Sequence, residues 1–194
     1  MIINKIKEFE TLLLEVNKCT LCQRMKGRKK VLSDKNGNLN SKVMFIAEAP
    51  GMHGAGRTGI PLCGDQTGKN FEFLLKTISW ERDDIFITNA VLCNPQNNAT
   101  PNAIEIQNCS NFLKKTIELV YPEIIVTVGG KALNALKQIK QHNFELKNNV
   151  AQKLSWNNKI LFPLYHMSPI VFNKMRSRQI KDFVSLSKII DLGV

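Results

Sequence analysis

Four short apolar segments alternate with longer segments of helical spacing, and this alternation constrains the fold more than any other feature of the sequence. In the first helical segment, residues 2–18, apolar side chains recur every three or four positions. Strands that alternate with helices form a parallel sheet, because each helix returns the chain to the same end of the sheet. The sequence therefore predicts an α/β protein with strands at residues 43–47, 84–88, 123–128 and 159–164.

Polar or small residues follow each of the four predicted strands directly. They are Glu48, Asn89, Gly129 and His166. Open parallel sheets bind their ligands beyond the carboxyl ends of the strands. We therefore expect these residues, which lie far apart in the sequence, to meet at one crevice.

A glycine-rich loop follows the first strand and runs to residue 68. Ala47, Ala49 and Gly51 leave its backbone bare, so that N–H groups can approach a flat or anionic ligand. The same composition also suits a plain surface loop with glycines at its turns. A helix is predicted next, with Thr67 as its N-cap. The phosphate-binding pattern GxxxxGK[ST] does not occur, which makes an ATP-binding enzyme the weaker alternative.

The chain carries a net charge of +11 and has a pI of about 9.6. This excess favours a polyanionic partner, with nucleic acid ahead of a membrane, although lysine-rich chains are often simply soluble. Basic residues are concentrated at 24–30 and 174–181. No apolar run approaches the roughly 20 residues of a membrane span, and the first residues lack the pattern of a signal peptide. We therefore expect a soluble cytoplasmic protein.

The cysteines are an odd number, five, which suits a metal site or a reactive thiol better than disulfides in a reducing compartment. Cys19 and Cys22 form a C-x-x-C pair, and Cys93 and Cys109 follow later in the chain. By their spacing alone, four thiolates suit zinc as well as an iron–sulfur cluster. Cys63 lies in the glycine-rich loop and is predicted to be a small apolar filler.

Several motifs keep a common order along most of the chain. They are AEAPG, RTGIPLCG, ITNAVLCNP, IIVTVGGKAL and YHMSP, together with the first, second, fourth and fifth cysteines. Taken together, they resemble the iron–sulfur uracil-DNA glycosylases. Glu48 in AEAPG and Asn89 in TNAVLC are similar to family 4, whereas HGAGRTG and Asp65 in GDQTG are similar to family 5.

This resemblance implies a three-layer α/β/α sandwich with a four-stranded parallel sheet, built as a single domain over residues 1–194. It implies a DNA-repair enzyme that flips uracil out of DNA and hydrolyses its N-glycosidic bond. The partner is expected to be uracil-containing DNA and the protein a monomer. The resemblance also implies a [4Fe-4S] cluster held by Cys19, Cys22, Cys93 and Cys109.

The resemblance assigns roles in base recognition to two residues. Asn89 is expected to pair with O4 and N3–H of uracil, a contact that the amino group of cytosine disrupts. His166 is expected to donate a hydrogen bond to uracil O2 as negative charge builds on the departing base. From the sequence alone, Asn89 could instead be a turn residue after a strand.

Two acids are candidates for activating water or stabilising the positively charged sugar, because Ala49 occupies the position where related enzymes carry aspartate or asparagine. They are Glu48, which the sequence favours, and Asp65, and either could instead cap a helix or pair with Arg57. The loop residues expected to contact the substrate are Ala47, Glu48, Ala49, Gly51 and Leu62.

The chain departs from the family pattern at two positions. Leu62 stands where the family stacks a phenylalanine on the base, and Met167 stands where proline is usual. The sequence therefore leaves two alternatives open. One is a non-catalytic iron–sulfur protein that binds DNA, and the other is a glycosylase whose main substrate is another damaged base, such as hypoxanthine.

Overall fold

The computed structural model describes residues 2–190, with side chains from residue 4 onward. The ends of the predicted single domain, residue 1 and residues 191–194, lie outside this range. The helices are α1 (Ile2–Lys18), α2 (Ala55–Thr58), α3 (Gln66–Lys76), α4 (Ala103–Val120), α5 (Gly130–Ala135), α6 (Leu146–Asn149) and α7 (Pro169–Ser187). The strands are β1 (Val43–Ala47), β2 (Phe86–Asn89), β3 (Ile124–Val128), β4 (Leu154–Trp156) and β5 (Lys159–Leu164).

The strands form one sheet in the order β2-β1-β3-β5-β4. The parallel pairs join β2, β1, β3 and β5, which are the four strands predicted from the apolar segments. The prediction of a four-stranded sheet was wrong by one strand, because β4 pairs antiparallel with β5. Asn157 and Asn158 form the turn between them with φ of 51° and 59°. Tight hairpins require positive φ at both turn residues, and asparagine tolerates it.

Helices cover both faces of the sheet, because successive side chains of a strand point to opposite faces. Met44 and Ile46 pack in one apolar cluster with side chains of α1, α4 and α5. Phe45 packs in a second cluster with side chains of α3 and α7, where its ring meets that of Phe71 at a centroid distance of 5.2 Å. The fold therefore has the predicted layers, with helices on each side of a central sheet.

The strand order places a crevice at the carboxyl end of β1. From β1 the chain passes through α2 and α3 to β2 on one side, and then through α4 to β3 on the other side. Loops that leave neighbouring strands in opposite directions open a crevice between them. Parallel pairing sets Ala47 opposite Asn89, so that Asn89 ends β2 rather than following it.

A short segment covers part of the β2 edge of the sheet. Along β2, Gly37 forms an antiparallel bridge with Phe86, and the N–H of Asn38 donates to the carbonyl of Ile85 at 3.0 Å. Gly37 has φ of 110°, and a Cβ at this position would lie 2.2 Å from the carbonyl oxygen of Ile85. This approach therefore requires glycine. At the opposite edge the outer strand is β4, which has only three residues.

The start of α3 differs from the prediction. The N-cap is Asp65 rather than Thr67, because the Asp65 Oδ1 accepts a hydrogen bond from the Gly68 N–H at 2.9 Å. Thr67 lies inside the first turn of the helix. Asp65, one of the two acids that the sequence offers for catalysis, therefore also caps the start of a helix.

This cap gives a testable prediction for stability. Asp65→Ala should lower the free energy of unfolding by about 1 kcal/mol, because the Gly68 N–H loses its acceptor. Asp65→Asn should change stability little, since asparagine caps helices as well as aspartate does. Urea unfolding of the three proteins measures both effects. Equal stability of wild type and Asp65→Ala would contradict the capping role.

Candidate active site

A small cavity of about 80 Å³ lies at the carboxyl ends of β1 and β2. We call it the base cavity. It brings together most of the residues that the sequence predicts to bind substrate or act in catalysis: Ala47, Ala49, Gly51, Leu62, Asp65, Asn89 and His166. Pro50, Ala55, Cys63 and Thr67 complete its lining. Of the predicted residues, Glu48 lies outside this lining, although both of its neighbours belong to it.

Asn89 brings an amide into the base cavity from the end of β2. The residue is 2% exposed, and its Nδ2 is buried without a hydrogen-bond partner among the described residues. A buried donor left unpaired costs about 1–3 kcal/mol, so such groups are uncommon and need an explanation. An acceptor on a bound ligand would supply the missing bond.

His166 brings an imidazole into the same cavity just after β5. The backbone N–H of Ser168 donates to its Nδ1 at 3.0 Å. Because Nδ1 accepts this bond, the ring proton of the neutral imidazole lies on Nε2. Burial lowers the pKa of His166, and the nearby Asp65 carboxylate partly opposes this shift. At neutral pH the ring is therefore an uncharged donor.

Two buried amides that the sequence analysis did not single out hold the backbone around His166. Gln179 Nε2 donates to the carbonyl of His166 at 3.2 Å, and Asn70 Nδ2 donates to the carbonyl of Met167 at 2.9 Å. Gln179 belongs to α7 and Asn70 to α3. Their position on helix faces among apolar residues gives a weak sequence signal. They fix the loop that carries the imidazole from two sides.

Met167 is fully buried, whereas Ile170, in the first turn of α7, is 74% exposed. The large exposed apolar side chain that follows His166 in the sequence is thus Ile170, which the sequence analysis also missed. Met167 instead packs in the apolar cluster of α3 and α7. The departure from proline at position 167 therefore affects the core rather than the surface of this loop.

The two oxygens of the Asp65 carboxylate have different surroundings. Oδ1 caps α3, as described above, and Oδ2 faces the glycine-rich loop. A Cβ at Gly54 would lie 2.5 Å from Oδ2, and one at Gly51 would lie 3.4 Å from it. Glycine at 54 therefore allows the carboxylate to lie against the loop.

Glu48 lies on a different side of the crevice. Burial raises the pKa of its carboxyl group, and the nearby Lys131 in α5 partly opposes this shift. One carboxylate oxygen, Oε1, is buried and finds no hydrogen-bond donor within the described part of the chain. Glu48 is therefore an acid with an incomplete set of partners next to the base cavity, not within its lining.

Leu62 contributes an aliphatic side chain to the wall of the base cavity. Its φ of 47° lies in the left-handed region, which is strained for a residue with a branched side chain. Arg82 holds this conformation by donating from Nη1 to the carbonyl of Leu62 at 3.3 Å and from Nη2 to the carbonyl of Pro61. A salt bridge of 2.7 Å to Glu72 fixes Arg82 in turn.

A second cavity, of about 240 Å³, lies between the segment after α1 and the face of α4. We call it the cysteine cavity, because its lining includes Cys19, Cys22, Cys93 and Cys109. Cys63 is not part of this lining and lies at the base cavity instead. Burial raises the pKa of Cys93 to about 11 and that of Cys109 to about 12. With the side chains as they stand in residues 4–190, no three metal-binding groups are close enough to hold one ion.

The basic segment 24–30 makes many of its hydrogen bonds within the protein. Arg24 pairs with the buried Glu105 at 2.9 Å. Lys30 donates to the carbonyls of Asn17 and Cys19, both at 2.7 Å. These bonds place positive charge around the cysteine cavity, which Lys26, Arg28 and Lys30 also line.

A comparison with known families supports what the motifs suggested. The family model described as the uracil DNA glycosylase superfamily matches residues 35–187. This range contains every residue that lines the base cavity. It also contains Cys93 and Cys109 of the cysteine cavity.

Several curated relatives are similar over much of their length. The type-4 uracil-DNA glycosylase of Saccharolobus solfataricus is 38% identical over 165 residues, which cover 82% of this chain and 75% of the relative. The type-4 uracil-DNA glycosylase of Thermotoga maritima is 32% identical over 171 residues, 87% of this chain and 85% of the relative. A type-5 uracil-DNA glycosylase of Pyrobaculum aerophilum is 39% identical over 116 residues, 53% of this chain and 51% of the relative.

The family match spans most of the chain and includes the whole base cavity. The type-4 relatives align over more than three quarters of the chain. No helix within residues 2–190 is both long and apolar enough to cross a membrane. The chain belongs to the uracil-DNA glycosylase superfamily.

Proposed function

We propose that the protein is a DNA-repair glycosylase that excises uracil from DNA by hydrolysing the N-glycosidic bond. The observation that carries the proposal is the base cavity itself, where an amide nitrogen without a partner among the described residues and a neutral imidazole donor meet. Relatives named type-4 enzymes align over 82% and 87% of the chain, against 53% for the type-5 relative. The extent of these alignments supports a type-4-like enzyme.

Asn89 reads the edge of the flipped base. Its Nδ2 donates to uracil O4 and its Oδ1 accepts from N3–H, which completes the bonding of a buried amide. Cytosine presents an amino group and an unprotonated N3 at these positions, so both contacts would be mismatched and the base disfavoured. Leu62, with Ala47, Ala49 and Gly51, forms the apolar surroundings of the ring.

His166 stabilises the leaving base. Uracil O2 gains negative charge only as the glycosidic bond breaks, and the Nε2–H of the neutral imidazole donates to it at that stage. The bond from the Ser168 N–H to Nδ1 keeps the ring in the required tautomer. The lowered pKa keeps the ring uncharged at neutral pH. His166 therefore lowers the barrier rather than strengthening the binding of substrate.

Asp65 is the acid that lines the base cavity together with His166, and we assign it the sugar and the water. Its charge stabilises the positive charge that develops on the deoxyribose, and its Oδ2 is available to orient the attacking water. Glu48 is the second acid, beside the cavity and near Lys131. Burial raises the pKa of Glu48, so its carboxyl group stays protonated to a higher pH than usual.

The four residues that line the cysteine cavity suit a [4Fe-4S] cluster. A volume of about 240 Å³ accommodates a group of several atoms rather than one ion. The raised pKa values of Cys93 and Cys109 mean that these thiols need a bound metal to become thiolates at neutral pH. Lysine and arginine side chains at the cavity offset the negative charge of four thiolates. The cluster would supply a cross-link between the segment after α1 and the segment from β2 to α4.

DNA is the proposed partner, and the surface around His166 suits it. Ile170 is exposed at the start of α7, where it can enter the space that a flipped nucleotide leaves. Lys174, Arg176 and Lys181 are exposed further along the same helix, in reach of the phosphate backbone. The basic segment 24–30 is the weaker candidate, since many of its side chains bond within the protein.

The main test of the function is His166→Ala. The wild type should excise uracil from DNA, and the variant should excise it about a hundred- to a thousandfold more slowly, because it lacks the donor to O2. DNA affinity should change little. Single-turnover kinetics and a binding titration measure the two quantities. His142→Ala is the matched control, because His142 bonds to the carbonyl of Leu133 outside the base cavity.

A panel of oligonucleotides carrying uracil, hypoxanthine, xanthine or a thymine mismatch separates the alternatives. Excision of uracil alone would support the role of Asn89 in reading the base. Preferred excision of hypoxanthine would show that hypoxanthine, and not uracil, is the main substrate. Binding of the panel without excision of any base would favour a non-catalytic DNA-binding protein and overturn the proposal.

The two acids are separated by a pair of isosteric variants. Asp65→Asn keeps the cap of α3 but removes the charge, so it should lower the single-turnover rate at saturating DNA by about a hundredfold or more. Glu48→Gln should have the smaller effect, because Glu48 lies outside the lining of the base cavity. A larger loss in Glu48→Gln than in Asp65→Asn would reverse the assignment.

The cluster is tested by its metal. Protein purified without oxygen should be brown and contain about four irons per chain. Cys93→Ser or Cys109→Ser should lose iron and colour, whereas Cys63→Ser should retain both, because Cys63 lies at the other cavity. Iron analysis and absorption spectra provide the measurement. Stoichiometric zinc without iron would contradict the cluster.

A further inference from the structure

We propose that Asn94 is a positioning residue that ties the base cavity to the cysteine cavity, so that the order of the cysteine site sets the geometry of the base site. This inference rests on the proposed function and deepens it. Asn94 follows Cys93 directly and is 5% exposed. The sequence analysis gave it no role.

On one side, Asn94 holds the loop that we call the base loop, residues 49–57. Its Nδ2 donates to the carbonyl of Pro50 at 2.8 Å. The amide also lies flat against Gly56, since a Cβ there would be 2.7 Å from the Asn94 Cγ. Pro50, Gly51 and Ala55 of this loop line the base cavity. One buried side chain thus fixes the wall against which the base must lie.

On its other side, Asn94 is bonded to the segment around the cysteine cavity. Arg28 donates from Nη2 to Asn94 Oδ1 at 2.7 Å and from Nε to the Asn94 carbonyl at 2.9 Å. The Asn94 N–H donates to the carbonyl of Lys29 at 2.9 Å. Arg28 and Cys93 both line the cysteine cavity.

The direction of the amide follows from its partners. A guanidinium group can only donate, so Arg28 requires the oxygen of the Asn94 amide on its side. The nitrogen then faces the Pro50 carbonyl, which can only accept. No substitute of similar size offers both an acceptor and a donor in this arrangement. The bond to the base loop therefore depends on the place of Arg28.

A shift in the segment 28–30 or in Cys93 would move Asn94 and with it the base loop. A misplacement of about 1 Å near reacting groups can lower a rate about a hundredfold. Asn94 itself does not belong to the lining of the base cavity. Its effect should appear in the chemical step and in the motion of the base loop, not in the affinity for DNA.

The test uses Asn94→Asp in the full chain with its metal. The carboxylate keeps an acceptor for Arg28 but places a second oxygen against the Pro50 carbonyl, so the base loop loses its anchor. We expect iron content and DNA affinity to stay as in wild type, amide hydrogen exchange in residues 50–57 to become faster, and single-turnover excision of uracil to fall about a hundredfold. Asn102→Asp is the matched control, because this residue caps α4, where aspartate serves equally well.

Two further proteins keep the proposal falsifiable if Asn94→Asp does not fold. Arg28→Lys retains the charge but loses the two-pronged contact, and it should speed exchange in residues 50–57 to a smaller extent. Cys93→Ser should lose iron and speed exchange in the same residues. If amide hydrogen exchange in residues 50–57 is unchanged in the folded variants, the proposal that Asn94 ties the two cavities together is wrong. A wild type that excises no base would refute the proposed function, while the exchange comparison would still decide the role of Asn94.

Discussion

The parallel pairing of β1 with its neighbours is the interaction on which the site depends. It places Ala47 opposite Asn89, and the ladder continues past the strand ends. The N–H of Ala90 donates to the Ala47 carbonyl at 2.7 Å, and the N–H of Val91 donates to the Glu48 carbonyl at 3.0 Å. Backbone bonds thus carry the alignment of the sheet into the loops. The distance between Asn89 and the loop after β1 is therefore set by backbone pairing, independently of side-chain contacts.

Beyond the sheet, buried amides replace the backbone ladder. Asn70, Asn94 and Gln179 each donate to a carbonyl of a loop that lines the crevice. A loop has no repeating bonds of its own, so its position depends on such side chains, and each bond is stronger in buried surroundings than in water. Asn89 is the exception among these amides. Its Nδ2 is buried and has no partner among the described residues.

Local sequence patterns predicted the strands and the gathering of their ends, because apolar runs and glycine breaks are encoded over a few residues. They could not show which way a long side chain turns. Asp65 was open to either role and caps a helix while lining the cavity, whereas Glu48 lies beside it. The strand β4 was missed, since three residues and an asparagine turn leave little pattern. The basic segment 24–30 was expected to suit a polyanionic partner. In the structure Lys30 instead donates to the carbonyl of Cys19, and Arg24 pairs with Glu105 in α4.

The cover along the β2 edge of the sheet bears on how the protein behaves when many copies are crowded together. An open edge offers free N–H and C=O groups to a strand of another molecule, and this is a route to aggregation. Here the N–H of Asn38, next to Gly37, donates to the carbonyl of Ile85, and the side chain of Asn36 donates to the carbonyl of Ile87. A side chain at position 37 would push this segment away. A substitution at Gly37, which does not line the base cavity, should therefore lower the solubility of the protein rather than its repair activity.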